Sequence, residues 1–197
     1  MPAPLELAPD IALPRARLNE VCGPARRSLA IWAARAVSGP VIWIAPAWSA
    51  DPLHADGICD FTDPGRFLFV RPQRAEDLLW SMEEVLRAGA VALAIADLPG
   101  PPGLTAVRRM HLAAGTGAAE GGLAPLGLIL TPDAGGAPGV ETRWHMAPSH
   151  TGSRYHWTLA SRRARTRPPR DWLIAQDRPG AAPYPLDRTA CREHEDV

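Results

Sequence analysis

At 197 residues and a formal charge of zero, the chain is long enough for one domain that buries roughly 70% of its unfolded surface without a metal or disulfide staple. Neutrality excludes bulk attraction to nucleic acid or to an anionic membrane. Cys22, Cys59 and Cys191 are odd in number, far apart and form no C-x-x-C pair, which argues against a disulfide framework or zinc knuckle and for a reducing cytoplasm.

Pro2, Pro4, Pro9 and Pro14 block helix interiors, so residues 1–16 are expected to be an extended, loosely held arm. The stretch has no apolar centre flanked by charge, and no apolar run in the chain is long enough to span a bilayer, so a soluble, cytoplasmic protein without a membrane partner is expected. Residues 17–22 read as the first strand. Gly23-Pro24 turns the chain into a helix over residues 25–37, where Leu29, Ala30, Ala33, Ala34 and Val37 fall at helical spacing.

This strand, turn and helix have the layout of a phosphate-binding loop without its chemistry. The working motif, G-x-x-x-x-G-K-[ST], needs its second Gly for backbone approach to the phosphates, its Lys for the outer phosphates and its hydroxyl for Mg²⁺. Here four residues separate Gly23 from Ser28, the second Gly is missing, and Arg26 and Arg27 occupy the crown of the turn. All 21 basic residues are Arg, so no lysine exists to serve. Arg26 and Arg27 could meet an anion at the helix N-terminus, although an exposed Arg pair at such a turn is more often solvated.

VIWIA at 41–45 has the continuous apolar character of a strand covered on both faces. Residues 48–65 are irregular, with Asp51-Pro52 and Asp63-Pro64-Gly65 as turns. FLFVR at 67–71 is the next strand. Residues 74–88 form the clearest helix, with Leu78, Leu79, Met82, Val85 and Leu86 on one face, Glu76, Glu83 and Arg87 on the other, and Gly89 suited to the position after its end. A buried strand over 91–96 ends at Asp97, Thr105 can cap a helix reaching about Ala114, and 126–131 supplies a fifth apolar strand. Alternating strands and helices predict a mostly parallel sheet with helices on its faces. After Glu141, period-two alternation at Trp144/Met146 and Tyr155/Trp157/Leu159, with the apolar run 172–175, predicts three strands added in antiparallel fashion. The domain is expected to end near residue 178, with 179–197 a flexible tail.

In this order the elements resemble the RecA-like core, and within it the ImuA family, itself related to SulA cell-division inhibitors. EVCGPARRSLA is similar to the strand and phosphate loop of that core, Asp51-Pro52 to a D-P pair after its second strand, RAGAVALAIAD to the strand carrying the Walker B aspartate, here Asp97, and RYHWTLASRR with DWLIAQ to its late strand pair. RAEDLLWSMEEVLRAGAV, LTAVRRMHLAA and RPPRDWLI carry the ImuA likeness. The resemblance implies an α/β fold, a RecA-like three-layer sandwich with a mostly parallel central sheet and antiparallel strands at the C-terminal end. Departures are equally informative: Ala47 stands where RecA has its catalytic glutamate, and Leu98 to Leu104 and Asp133 to Val140 leave little of the two loops that hold DNA.

What the resemblance implies is a non-catalytic accessory protein of damage-induced (SOS) translesion synthesis, with no cofactor, acting beside an ImuB-like polymerase homologue, the RecA filament and an error-prone polymerase. The alternative is a SulA-like inhibitor of cell-division polymer assembly. Gly23, Pro24, Ser28 and Asp97 then mark a vestigial nucleotide site, with Asp97 capping or turning the chain. The strongest candidate contact surface is the turn RRARTRPPR, where Arg162, Arg163, Arg165, Arg167 and Arg170 could meet phosphates or a partner's carboxylates. The bland alternative is a solvated hairpin. His145, His150 and His156 are close in sequence, yet their spacing matches no ligand motif and no metal is expected. Most of the seven Trp, including Trp80, are expected in the core.

Overall fold

A computed structural model describes residues 2–150, 155–165 and 167–186. Its centre is a nine-stranded mixed sheet built from β3 (Arg17–Cys22), β4 (Val41–Ile44), β5 (Phe67–Val70), β6 (Leu93–Asp97), β7 (Leu126–Thr131), β8 (Thr142–Pro148), β9 (Tyr155–Ala164), β10 (Arg170–Gln176) and β11 (Tyr184–Leu186). Their spatial order is β11-β10-β9-β8-β3-β7-β6-β4-β5. Strands β3 to β8 are mutually parallel where paired, including β8 on β3, and the antiparallel part begins at β9. The three late strands that the alternation predicts all form, as β8 to β10, and a fourth, β11, follows, but the first of the three is parallel. A strand reached through the crossover of residues 132–141 is free to run that way, and β3 accepts it on its open edge.

Helix α1 (Arg26–Arg35) covers one face of the parallel part, and α3 (Ala75–Ala88) and α4 (Leu104–Glu120) cover the other; a single turn, α2 (Asp56–Cys59), lies in the irregular stretch before β5. Each face has its own core. Leu29, Trp32, Trp43, Leu128 and Trp144 belong to the α1 side, while Leu18, Met82, Leu86, Met110 and Ile129 belong to the α3/α4 side. Thr105 lies inside α4, not at its cap, and the helix runs on to Glu120 because small residues in its second half fit tightly against α3. Glu83, expected on the exposed face of α3, is buried and paired with Arg87 and Arg109. Trp80 is 58% exposed and Trp48 51%, so the aromatic core is smaller than the sequence suggests.

The N-terminal arm is a hairpin. Strands β1 (Leu5–Ala8) and β2 (Ile11–Leu13) pair antiparallel, and Asp10 at the turn takes a left-handed φ of 65° after Pro9. Leu5, Ile11 and Leu13 are buried in the core on the α1 side, which explains why four prolines do not leave this stretch loose. At the other end, β11 pairs with β10, so part of the expected flexible tail is in the sheet. Residues 187–197 and Cys191 lie outside the described residues.

His111 on α4 joins three elements. Its Nδ1 accepts from the Leu18 amide at 3.3 Å and its Nε2 lies 3.1 Å from the Gly139 carbonyl, a pair of contacts that needs the neutral ring with the proton on Nε2. Burial holds its pKa below the usual value, opposed by the bond to Gly139. A group whose folded pKa is depressed gives stability that is present above the unfolded value, about 6.5, and lost as pH falls through the folded one. Urea unfolding at pH 8 and pH 5 should therefore show a loss toward acid that is smaller in His111→Gln than in the natural chain; equal losses would remove His111 as a cause.

Candidate functional site

The end of β3 carries the loop that resembles a phosphate cradle. Gly23 has φ of 92°, and a Cβ there would lie 2.5 Å from the Met146 carbonyl oxygen, so this glycine is required by the close approach of β8. The Ala25 amide donates to that same Met146 oxygen at 3.0 Å, the Arg26 amide to Gly23 and the Ser28 amide to Ala25. Pro24 has no amide hydrogen to offer. Donors that would face a phosphate are turned onto the protein's own backbone.

The crown of the loop is closed by charge. Arg27 Nε donates to Asp97 Oδ2 at 2.7 Å, its Nη1 to Asp51 Oδ2 at 2.7 Å and its Nη2 to the Asp51 carbonyl at 2.7 Å. Arg26 Nε reaches Asp97 Oδ1 at 3.4 Å. Instead of a solvated pair, the two arginines form a clasp, and Asp97 is an ion-pair acceptor instead of a capping or turn residue. The reason is local: Asp97 is 5% exposed at the end of a buried strand, and a carboxylate so placed draws in the nearest cations. Ser28 sits in the first turn of α1, away from this contact.

Next to the loop lies a second polar centre, invisible in the motifs. Glu20 on β3 is fully buried and accepts from Thr131 Oγ1 at 2.8 Å, the Gly136 amide at 2.9 Å, the Ala137 amide at 3.1 Å and Arg143 Nε. It pins residues 133–140 to the sheet and buries Ala137 and Val140. The adjacent Cys22 thiol is pushed up to about 11, by burial first and by the Glu20 charge second, so it stays protonated and inert.

The three histidines do not converge. His150 Nδ1 accepts the His156 amide at 3.1 Å, and His145 packs beside Gly23. Among the described residues no group of three or more His, Cys, Asp or Glu is placed to hold a metal ion.

The arginine turn spans the end of β9 and the start of β10. Arg163 Nε donates to the Val140 carbonyl at 3.1 Å, Arg165 Nε lies 3.6 Å from Glu141, Arg167 Nη1 donates to the Asp10 carbonyl at 3.2 Å, and Arg170 Nη1 pairs with Asp10 Oδ2 at 2.9 Å. Arg170 also lies over the Trp172 ring at 5.2 Å. Arg162 is exposed and lines an open cleft together with Asp10, Arg170 and Asp171. The turn is thus not simply solvated: Arg167 and Arg170 hold the N-terminal hairpin through Asp10, and Arg163 and Arg165 reach Val140 and Glu141. Sequence reasoning missed Asp10 because it placed no structure in residues 1–16.

No model of a known protein family matches the chain, and no curated protein matches it.

Proposed function

We propose that the chain is a non-catalytic adaptor with a RecA-like core, an ImuA-like accessory protein of SOS-induced mutagenic translesion synthesis that works through contacts with an ImuB-like polymerase homologue, the RecA filament or both. The observation that carries the reading is Arg27, held across the loop crown by Asp97 and Asp51 where a nucleotide's phosphates and metal would sit. The inward-turned amides around Gly23 support it, as does the absence of any lysine. The central position of β3, the carboxylate at the end of β6 and the late strand pair β9/β10 support the RecA-like assignment. With the nucleotide position closed, function falls to surfaces, of which the Arg162–Arg170 turn is the most basic.

Calorimetric titration with Mg-ATP should give no heat of binding, and micromolar affinity would overturn the non-catalytic reading. Deleting the gene should lower damage-induced mutation frequency, and the protein should co-purify with the polymerase homologue or RecA. Normal induced mutagenesis in the deletion strain, with division arrest on overproduction, would favour the SulA-like alternative.

A further inference from the structure

One face of β8–β10 is covered by the N-terminal hairpin, and a cavity of about 270 Å³ lies between them. Trp144 and Trp172, with ring centroids 5.6 Å apart, form its aromatic wall, and Pro14 and Ala164 continue the apolar lining. Ser161 lines it too. The residue is 4% exposed and contributes a hydroxyl to the lining.

The rim is basic. Arg165, Arg167 and Arg170 line the opening; the side chains of Arg165 and Arg170 are 68% and 59% exposed, and among the described residues each of the three guanidinium groups makes one polar contact. Asp10 and Glu141 sit between them. The volume is just under the about 300–1,000 Å³ of small-ligand pockets, so it admits one ring and little more.

We propose that this cavity takes an aromatic side chain of an acidic peptide from a partner protein, with neighbouring carboxylates of that peptide on Arg165, Arg167 and Arg170. This rests on the reading of the arginine turn as a partner surface. Guanidinium groups bind carboxylates through paired hydrogen bonds, and a buried aromatic anchor inside a polar rim is the usual plan of a peptide hot spot. Single-stranded nucleic acid fits less well. Asp10 and Glu141 lie on the rim and would repel a continuous row of phosphates, whereas separated carboxylates can alternate with them.

The test is fluorescence anisotropy of the full chain with a labelled ten-residue peptide of Asp and Glu around one Phe, with the same peptide carrying Ala for Phe, and with a fifteen-nucleotide oligo-dT. The Phe peptide should bind, and the Ala peptide should bind about ten-fold more weakly. Filling the cavity by Ala164→Trp, or by Ala12→Leu from the hairpin side should the first fail to fold, should weaken the Phe peptide about ten-fold and leave the Ala peptide unchanged. Arg165→Ala should weaken both peptides and flatten their salt dependence. Equal binding of the two peptides, indifference to both cavity-filling variants, or preference for oligo-dT would each overturn the proposal. The parent reading is tested apart from it: Arg165→Ala/Arg167→Ala failing to co-purify with the polymerase homologue while the cavity-filling variants still do so would retain the surface and discard the cavity.

Discussion

Glu20→Ala should cost about 3–5 kcal/mol, the range for removing one partner of a buried ion pair. The loss has three parts, all from one carboxylate. Arg143, whose side chain is 19% exposed, keeps its charge without a counter-ion; Thr131 loses its acceptor; and the amides of Gly136 and Ala137 are left without a partner, so residues 133–140 lose their anchor. Chemical unfolding measures the total. Glu20→Gln, which keeps one acceptor and the volume, should cost about half as much. Glu20→Leu with Arg143→Leu should recover the part due to the unpaired Arg143 charge and not the part due to Thr131, Gly136 and Ala137, which still lack their acceptor. If Glu20→Ala unfolds at the same urea concentration as the natural chain, the network contributes nothing net.

Gly117→Ala should be destabilising by about 1–3 kcal/mol or more, opposite in sign to what helix propensity predicts. A Cβ on Gly117 would stand 2.0 Å from the Leu86 carbonyl oxygen and 3.0 Å from the Gly89 amide nitrogen. Both are backbone atoms of α3 and its end, which cannot rotate aside. Gly89 has φ of 57°, and a Cβ there would meet the Gly117 carbonyl oxygen at 2.2 Å, so the two helices touch through facing glycines. Gly115 is the control. It is two residues away on the same helix with nothing within 4 Å of its would-be Cβ, and Gly115→Ala should stabilise by about 0.5–1 kcal/mol. Thermal unfolding of the two variants side by side should move the midpoint in opposite directions. A rise in both would show that the helices separate freely.

The parallel strands and their helices were legible because burial on both faces leaves unbroken apolar runs such as VIWI, and because α3 has a clean stripe ending in Gly89. The hairpin was not, since proline count outweighed the alternation of Leu5, Leu7, Ile11 and Leu13 around Pro9-Asp10, which is itself a turn signal. That the loop lacks the lysine and second glycine of a phosphate cradle was legible. The contacts made at its crown were not, because those of Arg27 with Asp51 and Asp97 join residues far apart in sequence. Glu20 and His111 gave no signal for the same reason: each is an ordinary polar residue in a segment of ordinary pattern, and only tertiary contact with residues 131–143 gives it a task.

The position of β3 sets the timetable on which the chain can mature as it leaves the ribosome. In sequence this strand precedes the rest of the nine-stranded sheet, yet its neighbours there are β7 and β8, separated from it by β4, β5, β6 and four helices, and the hairpin before it shares a core with strands that end near residue 176. The strands that flank β3 therefore emerge later than α1 and α4, the helices that pack on its two faces. Until then Leu18, Val21 and Cys22, fully enclosed at the end, sit on a strand with two open edges. Premature termination before residue 126 would yield a fragment whose central strand has no lateral support, and such a fragment should accumulate as aggregate instead of as a smaller working domain.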